Sequence, residues 1–279
     1  MKKILSILAV SFLMMGMVAC DIIDEQDYNK EGSGNLIQVA VQKNVLLEDY
    51  TGVRCTNCPA AGEMALELQK QYGHNVIVLG VHSGFLSAPI GGYPNFKTKE
   101  GDEWYNFFGF DSNPIGTINR KFNSGSYAFN SPEWGDAIAA TLQEEADVEM
   151  TPIVNYDESN RELEINVFSK FLTEMIDTTY HLTVCIMEDS IVGKQLTPDG
   201  DDLDYVHRHV FRETINGTWG ESLNGTDENP LVIAPKEMII KSYSVKLNET
   251  YNADQCYVIA YVANGETKEV LQVIEKKIK

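Results

Sequence analysis

Two cysteines stand two residues apart in Arg54-Cys55-Thr56-Asn57-Cys58-Pro59. A short apolar run, Asn44–Tyr50, precedes them. A helical stripe of Ala61, Ala65, Leu68 and Tyr72 follows. Between a buried strand and a helix, two cysteines at this spacing read as a redox pair. The first helical turn brings the sulfurs close enough to join. The unsatisfied amides of the helix N-terminus stabilise a thiolate on the leading residue, and Arg54 adds a positive charge beside it. Cys55 is therefore the candidate nucleophile and Cys58 the resolving thiol, with exchange running through a mixed disulfide on Cys55. Two other readings fit the same pair. Half a zinc site needs two more ligands, and the chain has no second Cys pair. A structural disulfide that never turns over is the stronger rival in an oxidising compartment.

Further along, His207 and His209 alternate to one face of a predicted strand and could ligate a metal, although no third ligand is evident. Asp199, Asp201, Asp202 and Asp204 lack the Glu spacing of a calcium loop and read as a solvated turn. Cys185 and Cys256 fall in predicted strands. They form either a bridge between neighbouring strands or two buried thiols, because register is not legible here.

The elements that must position the first pair alternate. Asn44–Tyr50 reads as a buried strand, Cys58–Tyr72 as a helix with Pro59 in its first turn, and Asn75–His82 as a second strand rich in β-branched residues. A Gly/Pro-rich stretch, Ser83–Asn95, leads to a helical piece at Lys97–Phe107. A third strand is predicted at Ile115–Phe122, and Ser131-Pro132 opens a helix with Trp134, Ala137, Ile138 and Leu142 on its apolar face. This alternation implies crossovers and a partly parallel sheet. From Thr151 the texture changes. Leu163, Ile165 and Val167 alternate with polar residues. Further strands are predicted at Tyr180–Met187, Val206–Arg212, Met238–Leu247, Gln255–Val262 and Lys268–Lys276, separated by Asn, Gly and Asp clusters. A β-sandwich of the immunoglobulin-like kind is expected there. The reading therefore has two domains, an α/β domain over 36–148 and an all-β domain over 149–279.

The N-terminus reads as an address. Lys2 and Lys3 precede an apolar run, Ile4–Val18, which is too short for a membrane span of about 20 residues. Met17-Val18-Ala19-Cys20 has the form of a bacterial lipobox, which makes residues 1–19 a signal peptide and Cys20 the lipid-bearing N-terminus. Residues 20–35 are an acidic tether ending in Gly-Ser-Gly. The expected attachment is to a membrane through that lipid.

The 279 residues carry 22 basic and 41 acidic side chains, a formal charge of −19. Residues 1–19 hold two lysines and no acids, so the processed chain has 20 basic against 41 acidic groups, or −21. Such a chain lacks the cations to neutralise nucleic-acid phosphates or to dock on anionic lipid. At 43% hydrophobic residues it can build a sizeable core.

Asp49-Tyr-Thr-Gly-Val-Arg-Cys55-Thr-Asn-Cys58-Pro59 resembles a thioredoxin-fold active site. The resemblance puts a buried acid at Asp49, six residues before the first Cys, as proton acceptor for Cys58. On the residues alone, Asp49 could equally face solvent, with Glu48 buried in its place. The resemblance also implies a cis-proline facing the pair, for which Asn113-Pro114-Ile115-Gly116-Thr117 is the candidate, with Ser83–Asn95 as an insertion. Arg54 replaces the usual aromatic residue, and Thr56-Asn57 is not the Gly-Pro of thioredoxin, so redox potential and client do not carry over. More broadly, the mature chain resembles a Bacteroidetes family of outer-membrane lipoproteins named for a twenty-eight-kilodalton founder. The matching stretches are Leu46–Ala60, Pro114–Arg120, Tyr205-Val-His-Arg-His209 and Glu269–Gln272. That resemblance implies a thioredoxin-like domain followed by a β-sandwich. The expected function is a cell-envelope thiol-disulfide oxidoreductase acting on protein thiols or disulfides through Cys55 and Cys58, without cofactor or metal. The alternative is a non-enzymatic surface lipoprotein, an adhesin or binding module, with a static disulfide.

Overall fold

In the computed structural model, which describes residues 41–279, the chain runs β1 (Val45–Thr51), α1 (Cys58–Tyr72), β2 (Val76–His82), α2 (Lys99–Phe107), β3 (Ile115–Ile118) and α3 (Trp134–Thr141). The strands β4 (Val148–Asp157), β5 (Glu162–Phe171), β6 (Tyr180–Glu188), β7 (Ile191–Thr197), β8 (Gly200–His207) and β9 (Val210–Thr214) follow. Short pieces β10 (Glu221–Ser222), β11 (Gly225–Thr226) and β12 (Asn229–Pro230) precede β13 (Met238–Lys246), β14 (Cys256–Asn264) and β15 (Val270–Lys277). The expected signal peptide, Cys20 and the expected tether lie outside the described residues.

β1 and β2 pair in parallel through the α1 crossover, from Val45 opposite Val76 to Thr51 opposite His82. Both strands are apolar almost throughout because both faces are covered. Val45 and Leu47 pack with Ala61, Ala65, Trp134 and Ile138 under α1 and α3. Leu46 and Tyr50 face the other way, against Trp104, Tyr105 and Phe108 of the α2 region. Pro59 sits in the first turn of α1, and Gly73 (φ +59) ends it. β3 lies antiparallel on the far edge of β1. It is shorter than the sequence suggests, because Asn119 (φ +48) and Arg120 (φ +51) adopt left-handed backbone. Asn119 then exchanges bonds with Leu46: its Oδ1 accepts from Leu46 N at 2.7 Å, and its own N–H donates to Leu46 O at 2.9 Å.

The protein is mostly β, in several sheets. The largest runs β15-β14-β6-β9-β2-β1-β3, with β10 paired to β6. A three-stranded sheet, β13-β5-β4, stacks on its β6–β14–β15 end. Leu163, Ile165 and Val167 from one sheet and Leu182, Val184, Val258 and Val262 from the other share that core. β9 is the link between the halves. It pairs antiparallel with β6, and Val210 sits opposite Gly80 of β2 in parallel. Gly80 N–H donates to His209 O at 2.7 Å. A Cβ at Gly80 would lie 3.2 Å from that same oxygen, so the closeness of the seam depends on the missing side chain.

The expected division at 148/149 falls at the start of β4; the large sheet crosses it through β9, and residues 41–279 lie within one compact unit. One expectation is corrected here. The single strand expected over Val206–Arg212 is two strands meeting at a corner, where His209 takes φ +54. The register also settles the second cysteine pair. Cys256 lies opposite Glu188 and Cys185 opposite Ile259, three positions away, so the two side chains point to opposite faces of the sheet. Both are free and buried. Burial pushes both thiols up, Cys256 to about 12.

Candidate functional site

Cys55 and Cys58 are joined as a disulfide, with Cα atoms 5.4 Å apart. Cys58 opens α1, and Cys55 lies in the loop between β1 and that helix. Each is only 3% exposed. Pro114 follows a cis peptide from Asn113, and the Asn113 carbonyl oxygen lies 3.6 Å from Cys55 Sγ. Asn113 is itself held by its Nδ2, which donates to Tyr50 O at 2.9 Å. The four residues singled out in the sequence thus fall in one place: Cys55 and Cys58 in the loop and helix start, Pro114 opposite, and Asp49 at the C-terminal end of β1.

Two layers cover the pair. The Ser83–Asn95 stretch closes one side, with Arg54 N–H donating to Leu86 O at 2.9 Å and the Ser87 hydroxyl to Thr51 O at 2.7 Å. Arg54 turns its guanidinium to the Phe85 carbonyl and lies over the Phe85 ring, 4.8 Å from its centroid. The β7–β8 hairpin closes the other side. Gln195 Nε2 donates to Cys55 O at 3.1 Å and Gly52 O at 3.2 Å, and Leu196 N–H donates to Val53 O at 2.9 Å. The acidic turn reinforces this contact. Asp201 takes Lys194 Nζ at 2.8 Å and the Tyr93 hydroxyl, while Asp199-Gly200 turns the hairpin.

Behind the disulfide lies a cavity of about 260 Å³. Asp49, Cys58 and His82 line it from the first half, and Tyr205, His207 and His209 from the second. Asp49 is buried, and its Oδ1 has no hydrogen-bond partner. Desolvation raises its pKa to about 7. Burial lowers the histidines, His82 to about 3 and His207 and His209 to about 4, so all three are neutral at neutral pH. His82 Nδ1 and His207 Nε2 are likewise unpartnered, whereas His209 Nε2 meets Gln69 Oε1 at 2.8 Å. The His82 and His207 rings stand edge to face, 5.8 Å apart.

His207 and His209 are therefore not a pair on one strand face; one ends β8 and the other turns the corner. No group of three His, Cys, Asp or Glu among the described residues is arranged to hold a metal. His82, Gln195 and Tyr205 are neighbours of the pair that the sequence reading missed. Only His82 left a usable signal. It ends β2 as Thr51 ends β1, so it must emerge beside the Cys loop.

A family model described as outer membrane protein Omp28 matches residues 101–279. The match covers more than half of the chain, and the chain belongs to that family. The family is one of outer membrane proteins. Among the described residues no helix is long and apolar enough to cross a membrane. The matched segment starts beyond the Cys pair, so membership by itself does not speak to Cys55 and Cys58. Among solved structures, the chain is similar to HBP35 of Porphyromonas gingivalis at 16% identity, over 86% of this chain and 76% of that one, with a TM-score of 0.67. It is similar to an Agrobacterium tumefaciens protein at 14% identity, over 86% and 97%, with a TM-score of 0.50. A domain of the outer membrane lipoprotein Omp28 from P. gingivalis aligns at 18% identity over 48% of this chain and 89% of that one, with a TM-score of 0.31. At these identities the first two speak to fold alone. No curated protein matches the chain.

Proposed function

We propose that the chain is a thiol-disulfide oxidoreductase of the cell envelope, with Cys20 as its lipid attachment point and protein thiols or disulfides as its clients. Its first half is read as thioredoxin-like and its second as a sandwich that completes the site. The fold reading is supported by the order β2-β1-β3, with α1 crossing between the parallel strands and β3 antiparallel. The Gly116–Phe129 bridge and α3 continue the pattern.

One observation carries the activity: Asp49 is a buried carboxyl without a partner for Oδ1, in the same cavity as Cys58. Burying an unpaired carboxyl is costly, and packing alone gives no reason to keep one. A proton store beside a resolving thiol does. In the reaction so read, Cys55 thiolate attacks a client disulfide, forms a mixed disulfide and releases one client thiolate. Cys58 gives its proton to the Asp49 carboxylate and attacks Cys55 Sγ. The Cys55–client bond breaks as Cys55–Cys58 forms, two electrons pass to the client, and the second client sulfur leaves as thiolate. Pro114 and the Asn113 carbonyl would line the face the client meets.

The test is a redox titration together with client trapping. An exchange-active pair has a potential well above the range of about −300 mV and below that marks structural bridges, and Cys58→Ala accumulates mixed disulfides on Cys55. The rival reading, a static disulfide in a binding module, is favoured by the 3% exposure of both cysteines under the Gln195 clasp. A potential far below −300 mV with an unreactive Cys55 would establish that rival.

A further inference from the structure

The second half contributes a wall to the Cys58–Asp49 cavity, and that wall is polar where packing would favour apolar residues. His207 stands out. It is 3% exposed, and its Nε2 is buried without a hydrogen-bond partner. In the neutral ring protonated at Nδ1, Nε2 carries a lone pair. The cavity thus holds an imidazole acceptor, a carboxyl oxygen without a partner and the sulfur of Cys58. At about 260 Å³ it has room for water to bridge them.

We propose that His207 is the positioning residue for Asp49: through water in the cavity, its Nε2 accepts the hydrogen bond of the protonated carboxyl that has taken the proton of Cys58. The inference rests on the oxidoreductase reading above. It adds that the second half is part of the exchange machinery, because a residue of β8 governs how readily Asp49 holds a proton. No bond to His207 forms or breaks. The proton moves from Cys58 sulfur to an Asp49 oxygen and returns to that sulfur when the pair is reduced again.

Other titratable and charged groups face this cavity. From α1, Glu63 lines the rim. From β2, His82 also has a buried Nδ1 without a partner, and burial, with Arg212 adding to the effect, holds its ring neutral. From β8, the Tyr205 ring packs on His207 at 4.9 Å, and its hydroxyl lies close over Gly62 of α1. Burial raises Tyr205, with Asp49 and Glu63 adding to the effect. Asp202 acts on His207 in the opposite sense to burial. At the corner, Arg208 reaches out to Asp189, and His209 is occupied by Gln69. His209 therefore serves as an internal control: it shares the cavity wall, but its Nε2 is held by Gln69.

The experiment follows reduction and reoxidation of the Cys55–Cys58 pair by a small dithiol and its disulfide, as a function of pH, in the folded chain. In His207→Leu the rate near pH 7–8 falls about tenfold, roughly the effect of one lost hydrogen bond, and the Asp49 inflection moves. His207→Gln, whose amide oxygen can accept, restores both, and His209→Gln leaves the profile unchanged. Asp49→Asn with His207→Leu is no slower than Asp49→Asn alone. A His207→Leu profile that overlays the wild type, or a double variant whose losses add, overturns the inference while leaving the oxidoreductase reading intact. A wild-type pair that does not exchange with the dithiol at all removes the reading beneath it. A measurement on the unaltered protein guards against a variant that misfolds: the ring nitrogens of His207, followed by NMR, report the Nδ1–H tautomer and shift as Asp49 titrates near pH 7. A flat response overturns the proposal equally.

Discussion

Glu48 and Asp49 are consecutive in β1 and both buried, yet only Glu48 is fully partnered. Its carboxylate takes Arg120 Nε at 2.9 Å and the Thr117 hydroxyl at 2.7 Å, on the face that packs against Trp104 and Tyr261. Asp49 points to the opposite face, toward Cys58, with Oδ1 unpaired. Strand alternation separates a partnered acid from an unpartnered one within two residues.

The first prediction concerns Asp49 and stability. Its folded pKa is raised from 3.8 to about 7, so between these values the native state holds a proton that the unfolded state releases. Stability from this group is complete below about pH 4 and is lost as pH rises through 7. Asp49→Asn should therefore be more stable than the wild type at pH 8, by on the order of 3 kcal/mol, with the gain vanishing near pH 4. Urea unfolding at the two pH values measures it. An equal difference at both would mean that Asp49 is not the titrating group.

The histidines act in the opposite sense. His82, His207 and His209 are lowered from 6.5 to about 3, 4 and 4, so acid protonates them in the unfolded chain first. Their stabilising effect is present above pH 6.5 and is lost as pH falls toward 4. Wild-type stability should drop through this window despite the opposing slope from Asp49. His209→Gln should flatten the drop by about 1.4 kcal/mol per pH unit, one proton's worth, as read by calorimetry from pH 6.5 to 4.5.

Arg120 and Glu48 are 1% and 0% exposed and form an ion pair at 2.5 Å, with Arg120 also donating to the Tyr261 hydroxyl at 2.9 Å. The pair ties the end of β3 to β1 and to β14 of the second half. Glu48→Gln or Arg120→Met alone should cost about 3–5 kcal/mol, because each strands a buried charge or its donors. Replacing both by apolar residues should cost less than the larger single loss. A denaturant double-mutant cycle decides it, and simple additivity would rule the coupling out.

Much of the first half was legible because apolar runs and Pro59 mark β1, α1 and β2 locally. The positions of Asp49 and Pro114 followed from a resemblance that counts residues outward from Cys55 and Cys58. What was not legible depends on long-range register. The β2–β9 seam at Gly80 and Val210 spans 130 positions, and a lone glycine inside an apolar strand does not say which backbone will approach it. The β7–β8 hairpin was read only as an acidic turn. Val192 and Leu203 are exposed and Lys194 pairs with Asp201, so no buried periodicity announces the strands. His207 was singled out only as a metal candidate, and its place with Tyr205 in the cavity wall was not legible for the same reason. Cys185 and Cys256 stayed ambiguous until the β6–β14 register put them on opposite faces.

The hairpin carries the last prediction. Gln195 is 3% exposed, and its amide donates to Gly52 O, Cys55 O and Leu196 O, so one side chain clasps the Cys loop to β7. Gln195→Ala removes these donors and leaves buried carbonyls short of partners, at a cost of about 1–3 kcal/mol. The loss falls on the contact that covers the disulfide, so local opening should become easier. A change of about 1.4 kcal/mol in that opening makes reduction of Cys55–Cys58 by a small dithiol about tenfold faster. Phe85→Ala, on the exposed side of the other cover, should change the rate far less, because the Phe85 contact with Arg54 runs mainly through its backbone carbonyl. Equal acceleration by the two substitutions would assign the barrier to the Ser83–Asn95 side instead. An unchanged rate in Gln195→Ala, with the expected loss of stability, would show that the hairpin supports the loop without gating the sulfurs.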